Sequence, residues 1–199
     1  MAGAFTNSLG GTVYYVRNGE NFARRKGVRR KKKFTDLQQI YQQKFSILNK
    51  LGSRLKEVVD IGFPQRKLTQ SGINMFVRAN MEIFSVTEEG ELTIDLGRML
   101  CAQGRLIVPS LSVEQAEDKL TFTLAPSEPE RYAMPDDRVM ALVFEPERVW
   151  FRCGEIGVRG KAGKMVFTIP PRWKSTDVRV YVFALNQAGT LASDSRCLL

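Results

Sequence analysis

The apolar positions of the chain change period twice. Residues 12–17 (TVYYVR) combine β-branched and aromatic side chains and run into Asn18-Gly19. That dipeptide favours a two-residue hairpin turn, so residues 12–25 are expected as a β-hairpin with 20–25 as the return strand. From Thr35 the period becomes helical: Leu37, Ile40, Tyr41, Phe45, Leu48, Leu51, Leu55, Val58 and Val59 fall on one face of a helix reaching about Ile61. Thr35 and Gln38 have capping-box spacing, and Asp36 suits the positive helix end. Gly52 is the expected weak point, and Gly62 with Pro64 the expected stop. A second helix is expected from Thr69 or Ser71 to Phe84, with Ile73, Phe76, Val77, Met81 and Phe84 facing inward. The two should pack as an antiparallel pair, their apolar stripes in the core.

Beyond Glu91 the pattern alternates. Expected strands are 92–101, 106–108, 119–124, 138–144, 148–153, 164–169, 178–185 and 190–197, separated by Gly, Pro, Asp and Ser turns. In 178–184 (VRVYVFA), Val178, Val180, Val182 and Ala184 face one way. Short strands at this density indicate a sandwich. The fold class is therefore α+β: an N-terminal basic β-hairpin and helical pair, then an immunoglobulin- or fibronectin-like antiparallel β-sandwich. The acidic turn at 88–91 sets the expected boundary, giving units 1–90 and 91–199.

Charge adds one feature to this outline. The chain has 199 residues and a net charge of +9, yet residues 17–33 alone hold +8. The cations there are Arg17, Arg24, Arg25, Lys26, Arg29, Arg30, Lys31, Lys32 and Lys33, against the single acid Glu20. The basic character belongs to an arm and acts locally. Tyr14, Tyr15 and Phe22 interleave with it and could stack on bases or on a partner surface. The nine cations are candidate contacts to DNA or to an acidic neighbouring protein. The plain alternative is a solvated tail or, in a eukaryotic source, a nuclear-import signal.

Much catalytic chemistry lacks its residues. The chain has no histidine, which removes Ser-His-Asp and Cys-His activation and imidazole metal ligation. The close carboxylate pairs, Asp136-Asp137, Glu145/Glu147 and Glu88/Glu89, sit in expected turns, where acids are ordinarily solvated. The Gly154, Gly157, Gly160 and Lys161 run lacks phosphate-loop spacing. Cys101, Cys153 and Cys197 have no metal or redox spacing. They are expected as buried structural thiols in a reducing compartment, a Cys101–Cys153 or Cys153–Cys197 bridge being the alternative. Neither a metal nor a cofactor is implied. No signal-peptide pattern opens the chain, and no apolar run approaches the ~20 residues that span a bilayer.

Several segments together resemble a family of uncharacterised proteins, a domain of unknown function, found in Bacteroidota and their phages. The matching positions are Gly10, Gly11, Thr12 and Val13 with Tyr15 and Gly19, then Thr35 and Gln38 leading to Phe45, and Ile61-Gly62-Phe63. They continue with Ile94-Asp95, Leu100 and Gly104, then Pro135-Asp136-Asp137 with Val139, and the closing 178–195 hairpin. The family's Gln and Arg in the first helix are Tyr41 and Gln42 here, and Phe34 replaces a Pro before the cap, so a different approach into the helix is expected. The resemblance implies a β-sandwich and a bacterial or phage setting, and it carries no catalytic residues. The expectation is thus a non-enzymatic structural subunit of a large assembly, such as a phage neck, tail-ring or connector protein. It would be homo-oligomeric, located in a virion or the bacterial cytoplasm, and without a membrane partner. A free nucleic-acid-binding protein is the second expectation. A ligand- or sugar-binding sandwich using Tyr132, Trp150 and Trp173 is the third.

Overall fold

Antiparallel strands β1 (Asn7–Leu9), β2 (Thr12–Arg17) and β3 (Glu20–Arg25) form a sheet of order β1-β2-β3. These elements come from a computed structural model that describes residues 6–17, 19–27, 34–67, 69–87 and 91–199. The hairpin has the expected register, Arg17 opposite Glu20 and Thr12 opposite Arg25, with Gly19 at φ 82°. Asn18 lies outside the described residues. Strand β1 was not expected; Gly10, at φ 56°, turns the chain so that Leu9 lies opposite Thr12. Helix α1 (Asp36–Arg54) opens on the anticipated capping box. The Thr35 N–H donates to Gln38 Oε1 at 3.2 Å, and the Gln38 N–H donates to Thr35 Oγ1 at 3.3 Å. Phe34 in place of proline leaves that box intact.

The chain divides into two compact units, Met1–Gln38 and Gln39–Leu199. In the second, α1 is followed by α2 (Lys56–Gly62) and α3 (Gly72–Asn80). The helical run breaks at Leu55 rather than at Gly52, and gently: the Leu55 and Val59 N–H groups still reach the carbonyls four residues back at 2.9 Å. Gly52 serves packing instead. A Cβ there would lie 3.0 Å from the Phe76 ring, so its absence lets α3 approach α1. Helix α3 ends at Asn80, short of the expected Phe84. The buried Asn80 amide donates to Phe76 O at 2.8 Å and Leu100 O at 2.9 Å, and its oxygen accepts the Leu100 N–H at 2.8 Å. Phe84 instead opens β4 (Phe84–Val86), which pairs with β5 (Leu92–Ile94).

Seven further strands make the sandwich: β6 (Leu111–Ala116), β7 (Lys119–Leu124), β8 (Arg138–Glu145), β9 (Trp150–Val158), β10 (Gly163–Thr168), β11 (Arg179–Leu185) and β12 (Arg196–Cys197). One sheet has the order β10-β7-β6 and the other β12-β11-β8-β9. The first, second and fifth of the seven thus share one sheet, and the third, fourth, sixth and seventh the other. This is an immunoglobulin-type distribution, with the fourth strand paired beside the third.

Strands β8 and β11 are buried on both faces, and their alternation shows why. Val139, Ala141, Val143, Val180 and Val182 face Leu120, Phe122 and Leu124 of the opposite sheet. Met140, Leu142, Phe144, Tyr181, Phe183 and Leu185 pack with Leu48, Leu55, Val59, Phe63 and Phe76 of the helical region. The layers are therefore sheet, sheet and helices. Helices and sandwich share one core and fall within one unit, where a boundary near 86–90 was expected; their apolar faces complete each other.

Four strand expectations changed; of 106–108 only Leu106 pairs, through an isolated bridge to Ser193. Strand 92–101 stops at Ile94 because the Asp95 carboxylate accepts the Gly97 N–H at 3.0 Å and caps a 3₁₀ turn, Leu96–Arg98. Residues 190–197 form mostly irregular backbone. Ser193 Oγ accepts the Ala184 N–H at 2.8 Å and Ser195 Oγ the Cys101 N–H at 2.9 Å, so side chains stand in for ladder bonds. Strand β6 was missed, since its turn to β7 uses Glu117 at φ 53° instead of a glycine.

Candidate partner-binding surfaces

In the N-terminal sheet, cross-strand register assigns each side chain to a face. Val13, Tyr15 and Arg17 share one face with Arg24, Phe22 and Glu20; Thr12, Tyr14 and Val16 share the other with Arg25, Ala23 and Asn21. Cations therefore stand on both faces. The Tyr15 and Phe22 rings stack at 5.7 Å between centroids. Arg17, Arg24, Arg25 and Lys26 are exposed, and none forms an ion pair among the described residues. Arg29, Arg30, Lys31, Lys32 and Lys33, the other cations of the expected site, lie outside the described residues.

Among the described residues the first buried side chain is Leu48. The first half of the α1 stripe, expected in the core, is exposed: Leu37 at 69%, Tyr41 at 60% and Phe45 at 52%. Burial starts at Leu48 and continues through Leu51, Leu55, Val58 and Val59. The periodicity was right, but the sheet and α3 cover only the second half of that face. Lys44 lies 5.8 Å from the Tyr41 ring centroid and 5.5 Å from that of Phe84, a partial cover by a cation.

A second surface lies within unit Gln39–Leu199. A cavity of about 1050 Å³ opens between α2, the start of β9 and the loop before β11. Its floor includes Val58, Ile61, Met140 and Phe151, and Trp150 and Trp173 stand at its wall. The two indole centroids are 6.5 Å apart, and Phe167 lies 6.5 Å beyond Trp173. Arg148 sits 4.9 Å over the Trp150 ring and donates to Arg172 O, tying the β8–β9 turn to the loop. A second tie is the 2.5 Å Lys174–Glu147 ion pair, whose hydrogen bond lowers the Glu147 pKa and raises that of Lys174. The structure thus unites two of the three aromatics singled out by sequence. Tyr132 does not line this cavity; Arg131 lies 5.0 Å over its ring.

Two acids expected to be solvated are in fact buried. Asp137 accepts the Met134 N–H at 3.0 Å and Arg159 Nε at 3.2 Å, both side chains of the pair being 2% exposed. Burial pushes the Asp137 carboxyl above its usual range, opposed by the Met134 N–H and the Arg159 guanidinium. Glu145 accepts the Arg148 N–H at 2.9 Å through Oε2, while its buried Oε1 has no hydrogen-bond partner among the described residues. A carboxylate beside a turn proline or aspartate can point inward where a strand begins, as at Asp137, or ends, as at Glu145, which composition alone does not reveal. Glu88 and Glu89 lie outside the described residues. Gly154 and Gly157 are in β9.

All three cysteines are free. Burial raises the Cys101 thiol to about 12 and the Cys153 thiol to about 11, and also raises Cys197. Since the thiolate is the nucleophile, iodoacetamide at pH 7.5 should leave Cys101 unmodified while the urea-unfolded chain takes up three labels. Mass spectrometry reads the difference; rapid labelling of native Cys101 would contradict its burial.

No family model matches the chain, and no curated protein matches it. Among the described residues no helix is long and apolar enough to cross a membrane.

Proposed function

We propose that the protein is a non-enzymatic structural subunit of a large assembly, its basic N-terminal sheet engaging DNA and its exposed helical stripe engaging neighbouring copies. One observation carries this: among the described residues, three strands and three turns of helix precede the first buried side chain. A small sheet without an apolar face covered by something else is marginal in water, and clustered exposed apolar side chains indicate a partner surface. Leu37, Tyr41 and Phe45 along α1 are such side chains, and in the sheet Leu9 and Phe22 are exposed on opposite faces. Arg17, Arg24, Arg25 and Lys26 of the sheet, without an ion pair among the described residues, suit a polyanion, and the β2–β3 pair is a two-stranded ribbon of the kind the major groove of DNA admits. An acidic neighbouring subunit would use the same charges. The resemblance to the Bacteroidota family supports a phage particle, at a neck, tail ring or connector, as the setting.

The test measures the native mass of the full chain across concentration, with and without duplex DNA. A defined oligomer is expected, with DNA affinity falling about a thousandfold or more between low and moderate salt. Changing the nine arm cations to Ala should abolish DNA binding and leave thermal stability unchanged. A chain that stays monomeric at high concentration and binds no DNA at low salt rules the proposal out. A monomer that still binds DNA steeply would identify instead a free nucleic-acid-binding protein.

A further inference from the structure

We infer that the Trp150–Trp173 cavity is a carbohydrate site selective for acidic oligosaccharides, those carrying uronate or sialate carboxylates. This goes beyond the assembly role and uses a different surface. The wall carries two indoles, Trp150 37% exposed despite its size, and Phe167 supports Trp173 from outside the lining at 6.5 Å. The C–H face of a pyranose is apolar and packs against such a plane, while its rim of hydroxyls needs planar hydrogen-bonding groups. The lining supplies those groups as Arg152, Arg172 and Glu57.

Charge selects among sugars. The Arg152 guanidinium donates to Phe151 O at 3.2 Å, and neither it nor Arg172 has an acidic partner among the described residues. Two lining guanidiniums thus stand against the single lining acid Glu57, and Arg148 lies 4.9 Å over the Trp150 ring. A guanidinium fork pairs with a carboxylate in bidentate fashion, which a neutral glycan cannot return. Glu57 is left to accept from a hydroxyl.

The turn that carries this wall is strained. Val149, a β-branched residue, holds φ 56°, a conformation that L residues of its kind seldom adopt. The same turn contains Glu145, with its unpartnered buried oxygen. Such strain persists where surrounding contacts enforce it, and it concentrates at ligand clamps. Here the enforcing contacts are the Arg148–Arg172 hydrogen bond and the Glu147–Lys174 ion pair, which preset the wall before any ligand arrives.

Both tryptophans of the chain stand at this cavity, so fluorescence excited selectively at tryptophan, beyond the tyrosine absorption band, reports on it. The experiment titrates the full chain, with the nine arm cations changed to Ala so that polyanions cannot register there, with oligogalacturonate, sialyllactose and neutral cello- and malto-oligosaccharides. A saturable fluorescence change is expected with the acidic glycans. It should weaken at least about tenfold in Trp150→Ala and in Arg172→Gln, read by calorimetry, while Trp150→Phe retains most of the affinity. Neither replaced side chain is in the core, and an unchanged melting temperature confirms the fold. No response to any of these glycans, equal affinity for neutral and acidic ones, or acidic binding untouched by both substitutions would each overturn the inference. A response to a proline-rich peptide with none to sugars would also overturn it, assigning the aromatic wall to protein recognition.

Discussion

Arg159→Ala should destabilise the protein by about 3–5 kcal/mol, because it strands a buried carboxylate. Arg159 is enclosed with Asp137, and its second nitrogen also donates to Ile107 O at 2.5 Å. Removing it leaves Asp137 with the Met134 N–H and no cation. The carboxyl, already raised by burial, would then rise further. The sign of the pH dependence follows. A folded-state pKa above the unfolded value contributes stability that is present below the unfolded pKa and is lost as pH rises through the folded one. The variant's deficit should therefore be larger at pH 7 than near pH 4. Urea unfolding at the two pH values measures it; a deficit under about 1 kcal/mol at both would show that the pair is not holding the 134–137 turn against β9.

Phe183→Ala should cost about 3–5 kcal/mol as well, and for a reason specific to the three-layer arrangement. Phe183 is on the face of β11 turned away from the opposite sheet, packed with the helical residues and 0% exposed. In a two-layer sandwich that face would meet solvent, and the same change would fall within about 0.5 kcal/mol. Val166→Ala on β10, 55% exposed, provides the solvent-facing control and should stay within that margin. The midpoint of denaturant unfolding should move without a change in slope, since the unfolded surface is little altered. Similar small effects for Phe183 and Val166 would mean that the helices do not cover the sheet.

How much of this was legible in the sequence depended on whether a signal was local. The β2–β3 hairpin followed from Asn18-Gly19, and the α1 capping box from Thr35 and Gln38, because each motif contains its own partners. The 178–185 strand was visible, but only its valine face was assigned to a core; Tyr181, Phe183 and Leu185 pointed to a second covered face that alternation alone could not interpret. Gly52 and Gly62 look like helix breakers in sequence. In space a Cβ on Gly62 would lie 2.2 Å from Cys101 O, a close approach between segments distant in sequence. The candidate surfaces divide the same way. Charge density located the arm, whereas the cavity needs Trp150 and Trp173 brought together by chain reversal, and neither residue carries a spacing that announces the other.

The late onset of burial has a practical consequence for how variants of this protein would be judged. With Leu48 as the earliest described side chain to leave solvent, melting temperature and expression yield report on what lies beyond it. Substitutions across residues 6–47 would pass such screens almost unnoticed, however severely they damaged what those residues do. Faults in that stretch should surface as failures of assembly among molecules that look perfectly well folded.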